Sequence, residues 1–312
     1  SKTYGQSDPA FTWTLSDVLP YGDVPTGTLD RVTGDGVGSY AITQGNVGLS
    51  TNYDLTFDNS NSVLTVNALD VAVTLTAASK TYGDSDPAIG FSFEPNLAYG
   101  DQFTGAADRT AGENVGSYSL NLGSLAVSSN YNVTLANTAS LEISAKAVTV
   151  SPKNASKTYG DSDPAFEYDH DALISGDSFS GALSRANAAT NDVGRYTIEK
   201  GTLALSSNYV LTVAGSGELT INTKSLTVVP VDASKTYGDA DPALTHLPVS
   251  LVGSDTFSGA LGRANAGTED AGTYEIGVGT LTAGANYALT VESGHYLTVN
   301  KATPTVTFTQ NT

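Results

Sequence analysis

Apolar and polar residues alternate along most of this chain. Phe11-Thr-Trp-Thr-Leu15, Val71–Thr76 and Tyr209-Val-Leu-Thr-Val213 send every second side chain to one face, the period-2 pattern of a half-buried strand. No i, i+3, i+4 apolar face persists for two turns. Strands are therefore predicted throughout, with at most a short helical turn at the Ser-Ser-Asn-Tyr segments. Gly, Asn and Asp separate the alternating runs, as turns require.

The predicted strands recur in a fixed order. Lys-Thr-Tyr-Gly-Asp-Ser-Asp-Pro-Ala stands intact at Lys80–Ala88 and Lys157–Ala165. It returns at Lys2–Ala10 with Gln6 in place of the first Asp, and at Lys235–Ala243 with Ala240 in place of Ser. From Lys2 to Lys80 to Lys157 to Lys235 the spacings are 78, 77 and 78 residues. A Gly-Asp type turn follows at Tyr21-Gly22-Asp23, Tyr99-Gly100-Asp101, Ser175-Gly176-Asp177 and Gly253-Ser254-Asp255, and then an arginine (Arg31, Arg109, Arg185, Arg263). Next come a Val-Gly-x-Tyr block ending at Tyr40, Tyr118, Tyr196 and, with Ala271 for Val, Tyr274, and an Asn-Tyr pair at Tyr53, Tyr131, Tyr209 and Tyr287. Each copy closes on Leu64–Val66, Leu141–Ile143, Leu219–Ile221 or Leu297–Val299. A fixed period of this size makes the chain a tandem array. The modules are placed at residues 1–68, 69–145, 146–223 and 224–302, with 303–312 opening a further strand.

The junctions are short. Asn67–Asp70, Ser144–Ala147 and Asn222–Ser225 are all that separates closing strand from opening strand, so a semi-rigid rod is expected, on the order of 150 Å for four compact modules end to end. A strand precedes the motif in modules 2 to 4, at Val71–Thr76, Val148–Ser151 and Leu226–Val231, but not in module 1, while Thr305–Thr309 is a surplus strand after module 4. Either a boundary clips a strand here, or the ends exchange strands between chains. The chain opens inside its first motif with no signal peptide and reads as a piece of a longer protein.

Composition narrows the function classes. Acidic residues outnumber basic ones 32 to 14, a net charge of −18, which argues against nucleic acid and against anionic membrane surfaces as partners. No apolar run approaches the roughly 18 residues of a membrane-spanning helix. With no Cys and no Met, modules of this size must draw stability from their own packing and from docking onto neighbours.

Candidate chemistry is sparse. The carboxylate pairs Asp84/Asp86, Asp161/Asp163 and Asp239/Asp241 beside a Gly-initiated turn could supply oxygen ligands to Ca²⁺, the one cofactor the chain suggests. The same Asp-x-Asp-Pro also suits a tight turn, and both EF-hand spacing and β-roll repeats are missing, which favours the turn. Gln6 would weaken a metal site first in module 1. The motif lysines and loop arginines would bind an anionic sugar, or else pair with the motif Asp residues and pack across a Tyr; recurrence in every copy favours the structural role. Tyr4-Gly5, Tyr82-Gly83, Tyr159-Gly160 and Tyr237-Gly238 are read as structural, the tyrosines as core-edge residues with a bonded hydroxyl. Trp13, present only in module 1, would suit a lone sugar-stacking platform, but the favoured assignment is a core position filled in module 2 by Phe91 or Phe93. Asp169-His170-Asp171 is the one metal-like cluster and is read as a solvated loop. His170, His246 and His295 occupy unrelated places, and neither a repeated Ser-His-Asp order nor a phosphate-binding Gly loop occurs, so no enzyme is expected.

The motif set, from Lys-Thr-Tyr-Gly-Asp-x-Asp-Pro-Ala through Gly-x-Tyr and Asn-Tyr to Leu297-Thr-Val-Asn-Lys-Ala302, resembles the MBG repeat of the YGX type, over essentially the whole chain. The resemblance implies an extracellular, bacterial cell-surface location and a part in large haemagglutinin-like adhesins, as stalk or adhesive segment. It implies a β-grasp-like module, to be set beside a small sandwich. The leading expectation is a non-catalytic stalk whose partners are the neighbouring repeats. Glycan or surface-polymer binding and end-to-end homopolymerisation are the alternatives. Loops such as Thr33–Gly36 and Ala186–Asn191 carry no aromatic residue, which counts against the glycan reading.

Overall fold

The computed structural model describes residues 1–60 and 62–309. Module 1 contributes β1 (Lys2–Thr3), β2 (Asp30–Arg31), β3 (Gly38–Thr43) and β4 (Val63–Asn67), and module 2 contributes β5 (Leu69–Leu75), β6 (Ala78–Thr81), β7 (Phe91–Glu94), β8 (Asp108–Arg109), β9 (Gly116–Asn121), β10 (Tyr131–Leu135) and β11 (Ser140–Ser144). Module 3 follows with β12 (Lys146–Pro152), β13 (Ala155–Thr158), β14 (Tyr168–His170), β15 (Ser184–Arg185), β16 (Gly194–Glu199), β17 (Tyr209–Val213) and β18 (Glu218–Asn222). Module 4 supplies β19 (Lys224–Val228), β20 (Ala233–Thr236), β21 (Gly262–Arg263), β22 (Gly272–Gly277), β23 (Tyr287–Val291) and β24 (Tyr296–Asn300). Among the described residues there is no α-helix, and a single 3₁₀ turn lies at Pro20–Gly22.

The topology follows from the repeat. In module 2 one sheet runs β10-β5-β7 and the other β6-β11-β9-β8. The motif strand β6 lies parallel to the closing strand β11, Lys80 opposite Ile143. The pre-motif strand β5 lies parallel to β10 and antiparallel to β7, so it is the centre of its sheet. Its alternation then explains itself: Val71, Val73 and Leu75 are buried, and Val73 and Leu75 pack on Leu120, Leu141 and Ile143 of the other sheet. Module 3 repeats both sheets; module 4 repeats the four-stranded one and pairs β19 with β23, with a Pro230–His246 bridge in place of a third strand. Among the described residues, module 1 has the four-stranded sheet β1-β4-β3-β2 alone.

The chain divides into two compact units, Ser1–Lys146 with Ser207–Tyr209, and Ala147–Ser206 with Val210–Thr312. Within the first, one core joins Tyr4, Leu64 and Val66 of module 1 to Val71 and Tyr131 of module 2. Within the second, Tyr159, Leu219 and Ile221 of module 3 share a core with Leu226 and Tyr287 of module 4.

Three expectations change. The junctions are shorter than the four residues read from the sequence: only Ala68, Ala145 and Thr223 separate consecutive strands, because residues such as Leu69 and Asp70 already pair with Tyr131 and Asn132. Thr305–Thr309 forms no strand; it is exposed and pairs with nothing among the described residues, and 310–312 lie outside them. Trp13 is no core residue: Phe11–Leu15 stands outside any sheet and Trp13 is 39% exposed.

Candidate functional site

Every module folds its motif around one ion cluster. The motif lysine sits on the strand paired with the closing strand and points its ammonium inward, so it needs an anion. Lys2, Lys80, Lys157 and Lys235 each donate to the second motif aspartate, Asp8, Asp86, Asp163 and Asp241, at 2.6 Å. The loop arginine takes the other carboxylate oxygen: Arg109 Nε reaches Asp86 at 2.6 Å, Arg185 reaches Asp163 at 2.7 Å and Arg263 reaches Asp241 at 2.6 Å. Arg31 does the same with Asp8. A fourth polar residue closes the ring by binding the arginine: Asp35, Glu113, Asn191 or Glu269. The guanidinium then lies 4.8–5.1 Å from the ring centre of Tyr40, Tyr118, Tyr196 or Tyr274, a cation–π contact. Each of these tyrosines donates its hydroxyl to a backbone carbonyl four residues upstream, as Tyr118 does to Asn114 O at 2.7 Å.

Of the carboxylates offered as calcium ligands, Asp86, Asp163 and Asp241 are each engaged by two cations of the protein itself. Their neighbours Asp84, Asp161 and Asp239 lie in the turn, each donating its backbone N–H to a carbonyl three residues back. The Asp239 carboxylate accepts from Thr236 N, and Gln6 Oε1 accepts from Thr3 N at 3.0 Å, so Gln6 does the same turn-closing work without charge. Asp169 and Asp171 are also occupied, by Lys153 and by the backbone N–H of Thr149, and His170 packs its ring edge-on to Phe179.

The clusters set a pH dependence. Asp86 is held at about 2, below its ordinary 3.8, first by its hydrogen bonds from Arg109 and then by those from Lys80. Asp8 and Asp241 are lowered in the same way. Burial is the largest influence on Asp163 and pushes upward, yet Lys157 and Arg185 together outweigh it and the carboxyl is still lowered. Unfolded chains would take up these protons near 3.8 and the folded protein only further down, so the contribution is present above pH ~4 and lost as pH falls towards ~2. At the other end, Tyr131 is pushed up to about 12 by burial and then by the Asp101 carboxylate. The unfolded tyrosine ionises near 10, so that contribution fades as pH rises from ~10 to ~12. A thermal melt series is expected to show a plateau from pH ~5 to ~9 with a steep acid limb below ~4. A midpoint that holds level down to pH ~2 would remove the clusters from the stability of the fold.

A second constellation, missed by sequence reading, joins modules. Tyr4 and Tyr159, the motif tyrosines of modules 1 and 3, pack beside the closing strands of their own modules and also reach into the next copy. Tyr4 Oη donates to Asp101 Oδ2 at 3.1 Å, and Tyr131 donates to the same oxygen at 2.9 Å, with the two rings edge to face at 5.3 Å. Ala98 N donates to Tyr131 Oη, and Asn130 Oδ1 accepts from Val37 N at 2.8 Å. The second unit repeats the joint atom for atom: Tyr159 and Tyr287 donate to Asp255 at 2.9 and 2.8 Å, their rings lie 5.5 Å apart, and Asn286 Oδ1 accepts from Val193 N at 2.9 Å. In the first unit Tyr82 meets Tyr209 edge to face at 5.4 Å and Asn208 accepts from Val115 N at 2.9 Å. Gly5, Gly83, Gly160 and Gly238 all have φ between 86° and 94°. At Gly5 and Gly160 a side chain would also strike the next module, 2.6 Å from Ala98 and 2.7 Å from Val252. One signal could have exposed the joint: the turn aspartate (Asp23, Asp101, Asp177, Asp255) persists while the two residues before it change.

Comparison with known proteins agrees with this repeat. The sequence profile of a family described as "MBG domain (YGX type)" matches residues 1–65, 71–141, 148–220 and 226–298. No curated protein matches the chain.

Proposed function

The chain belongs to the MBG domain family of the YGX type, four domains in tandem, and from that premise we propose that it is a non-catalytic spacer. It holds an adhesive region of a bacterial surface protein away from the cell. The observation that carries this reading is the joint. Within each unit a Tyr–Asp–Tyr lock, an Asn-to-backbone hydrogen bond and a continuous apolar core brace one module on the next across a single-residue junction. The repeated Lys, Asp and Arg build the ion cluster in every copy, and the motif tyrosine, turn aspartate and Asn-Tyr pair build the joint within each unit, which is what a load-transmitting array needs. Its partners are the neighbouring repeats, and the strong negative charge keeps such arrays apart in solution.

Small-angle scattering extrapolated to zero concentration tests it. The expected particle has a maximum dimension on the order of 150 Å, the same in calcium and in EDTA. A compact particle would overturn the spacer reading. A dimension that shrinks on chelation would restore the motif aspartates as metal ligands.

A further inference from the structure

Module 3 departs from the other copies at one position of its ion cluster. In modules 1, 2 and 4 two cations face two carboxylates, the second being Asp35, Glu113 or Glu269. In module 3 Asn191 holds that second place, and among the described residues Lys157 and Arg185 share the single carboxylate of Asp163. Both cations are buried, so this cluster keeps one positive charge without an anion.

The same exchange brings reactive groups together. Lys157 Nζ donates to Asn191 Oδ1 at 2.9 Å, so the carboxamide carbon, one carbonyl bond further on, lies within about 4 Å of the amine, close to the range of a near-attack pair. Arg185 Nη2 donates to the same oxygen at 2.8 Å, where negative charge builds up when such a carbonyl is attacked. Asp163 Oδ1 lies 2.6 Å from Nζ, in place to take a proton and return it. Asn191 is exposed, which gives its Nδ2 a way out to water.

We propose that Lys157 and Asn191 join in an isopeptide bond, formed once by the folded chain itself. Lys157 gives one proton to Asp163, and the freed lone pair attacks Asn191 Cγ. The Nζ–Cγ bond forms as the carbonyl electrons move to Oδ1 beside Arg185. Asp163 hands its proton to Nδ2, the carbonyl reforms, and the Cγ–Nδ2 bond breaks to release ammonia. The second Nζ proton passes through Asp163 to that ammonia, which departs as ammonium. Nothing is oxidised or reduced, Asp163 ends ionised, and the cluster is left with one cation and one anion. The bond ties β13 to the loop before β16, the two strands that flank closing strand β18, and closes a ring between residues 34 apart. Glu113 and Glu269 present ionised carboxylates, which are poor electrophiles, so modules 2 and 4 stay open.

Intact-mass spectrometry of the 312-residue chain, followed until the mass stops changing, tests this. The expected mass is about 17 Da below that of the sequence, one ammonia, and proteolysis should yield a branched peptide joining Lys157 to Asn191. The branch separates this bond from ammonia lost by Asn191 closing on its own backbone. Asn191→Glu copies module 4, so it should fold and show the full mass. Glu269→Asn should add a second loss in module 4, where the lysine and arginine stand 34 and 6 residues from that position, as in module 3. A full mass in the unaltered chain, a loss that survives Asn191→Glu, a loss without the branched peptide, or a single loss in Glu269→Asn would each overturn the proposal. All of these leave the spacer reading standing, since that rests on the joints and not on the cluster of module 3.

Discussion

Asp163→Ala is expected to weaken module 3 by about 3 kcal/mol, the lower end of what breaking a buried ion pair costs, because Asp163 itself keeps some exposure to water. Its two partners are far more deeply placed: the side chains of Lys157 and Arg185 are 4% and 1% exposed. Removing the carboxylate leaves both cations with Asn191 and backbone carbonyls as their remaining partners. Neutral acceptors do not replace a charge there. Modules 2 and 4 supply an internal control. Glu113 bridges Lys80 and Arg109, and Glu269 bridges Lys235 and Arg263, so Asp86→Ala or Asp241→Ala leaves each cation one anionic partner. Those variants should lose less, on the order of 1–2 kcal/mol. A tandem array need not unfold in one step, so amide exchange of β13, β16 and β18 is the suitable readout. About a hundredfold loss of protection corresponds to the larger figure. Equal losses in all three variants would show that the fourth residue of the cluster carries no weight.

The contrast bears on what the sequence could reveal. Alternation and the fixed period located the pre-motif, Gly-x-Tyr and closing strands, since a residue buried on one face of a sheet must recur at every second position, but not the motif strand or the two-residue arginine strand, too short to show a period. The Lys–Asp–Arg grouping was legible as well, because three charged residues recurring in a chain poor in Lys and Arg have few partners to choose from. Metal ligation was suggested by the same aspartates because two carboxylates beside a turn look alike whether cations come from solvent or from the protein. What stayed hidden was address. Tyr4 and Tyr131 both read as core-edge tyrosines of their own modules, and no local pattern states that one reaches into the next copy. The fate of Phe11–Leu15 was hidden for a related reason: its alternation is that of β7, but a strand forms only against the centre of its sheet, and module 1 offers none.

Tyr159→Ala and Tyr237→Ala remove the same side chain from the same motif position, yet their expected costs differ severalfold. Tyr159 is 9% exposed, donates to Asp255, and packs its ring on Tyr287 within the core formed by Leu219, Ile221 and Leu226. Truncating an aromatic so placed costs about 3–5 kcal/mol. Half-exposed Tyr237 should cost less than about 1 kcal/mol. Tyr159→Phe separates the two parts of the effect: only the hydroxyl is lost, Asp255 keeps Tyr287, and about 1 kcal/mol is expected. The location of the damage matters as much as its size. Leu219 and Ile221 belong to module 3 while Leu226 and Tyr287 belong to module 4, so exchange protection should fall in β18, β19 and β23 together. Loss confined to module 3 would make the tyrosine a local core residue and the joint an incidental contact. Loss on both sides would show that one side chain couples neighbouring modules, the property by which a row of small β-modules without disulfides can transmit load.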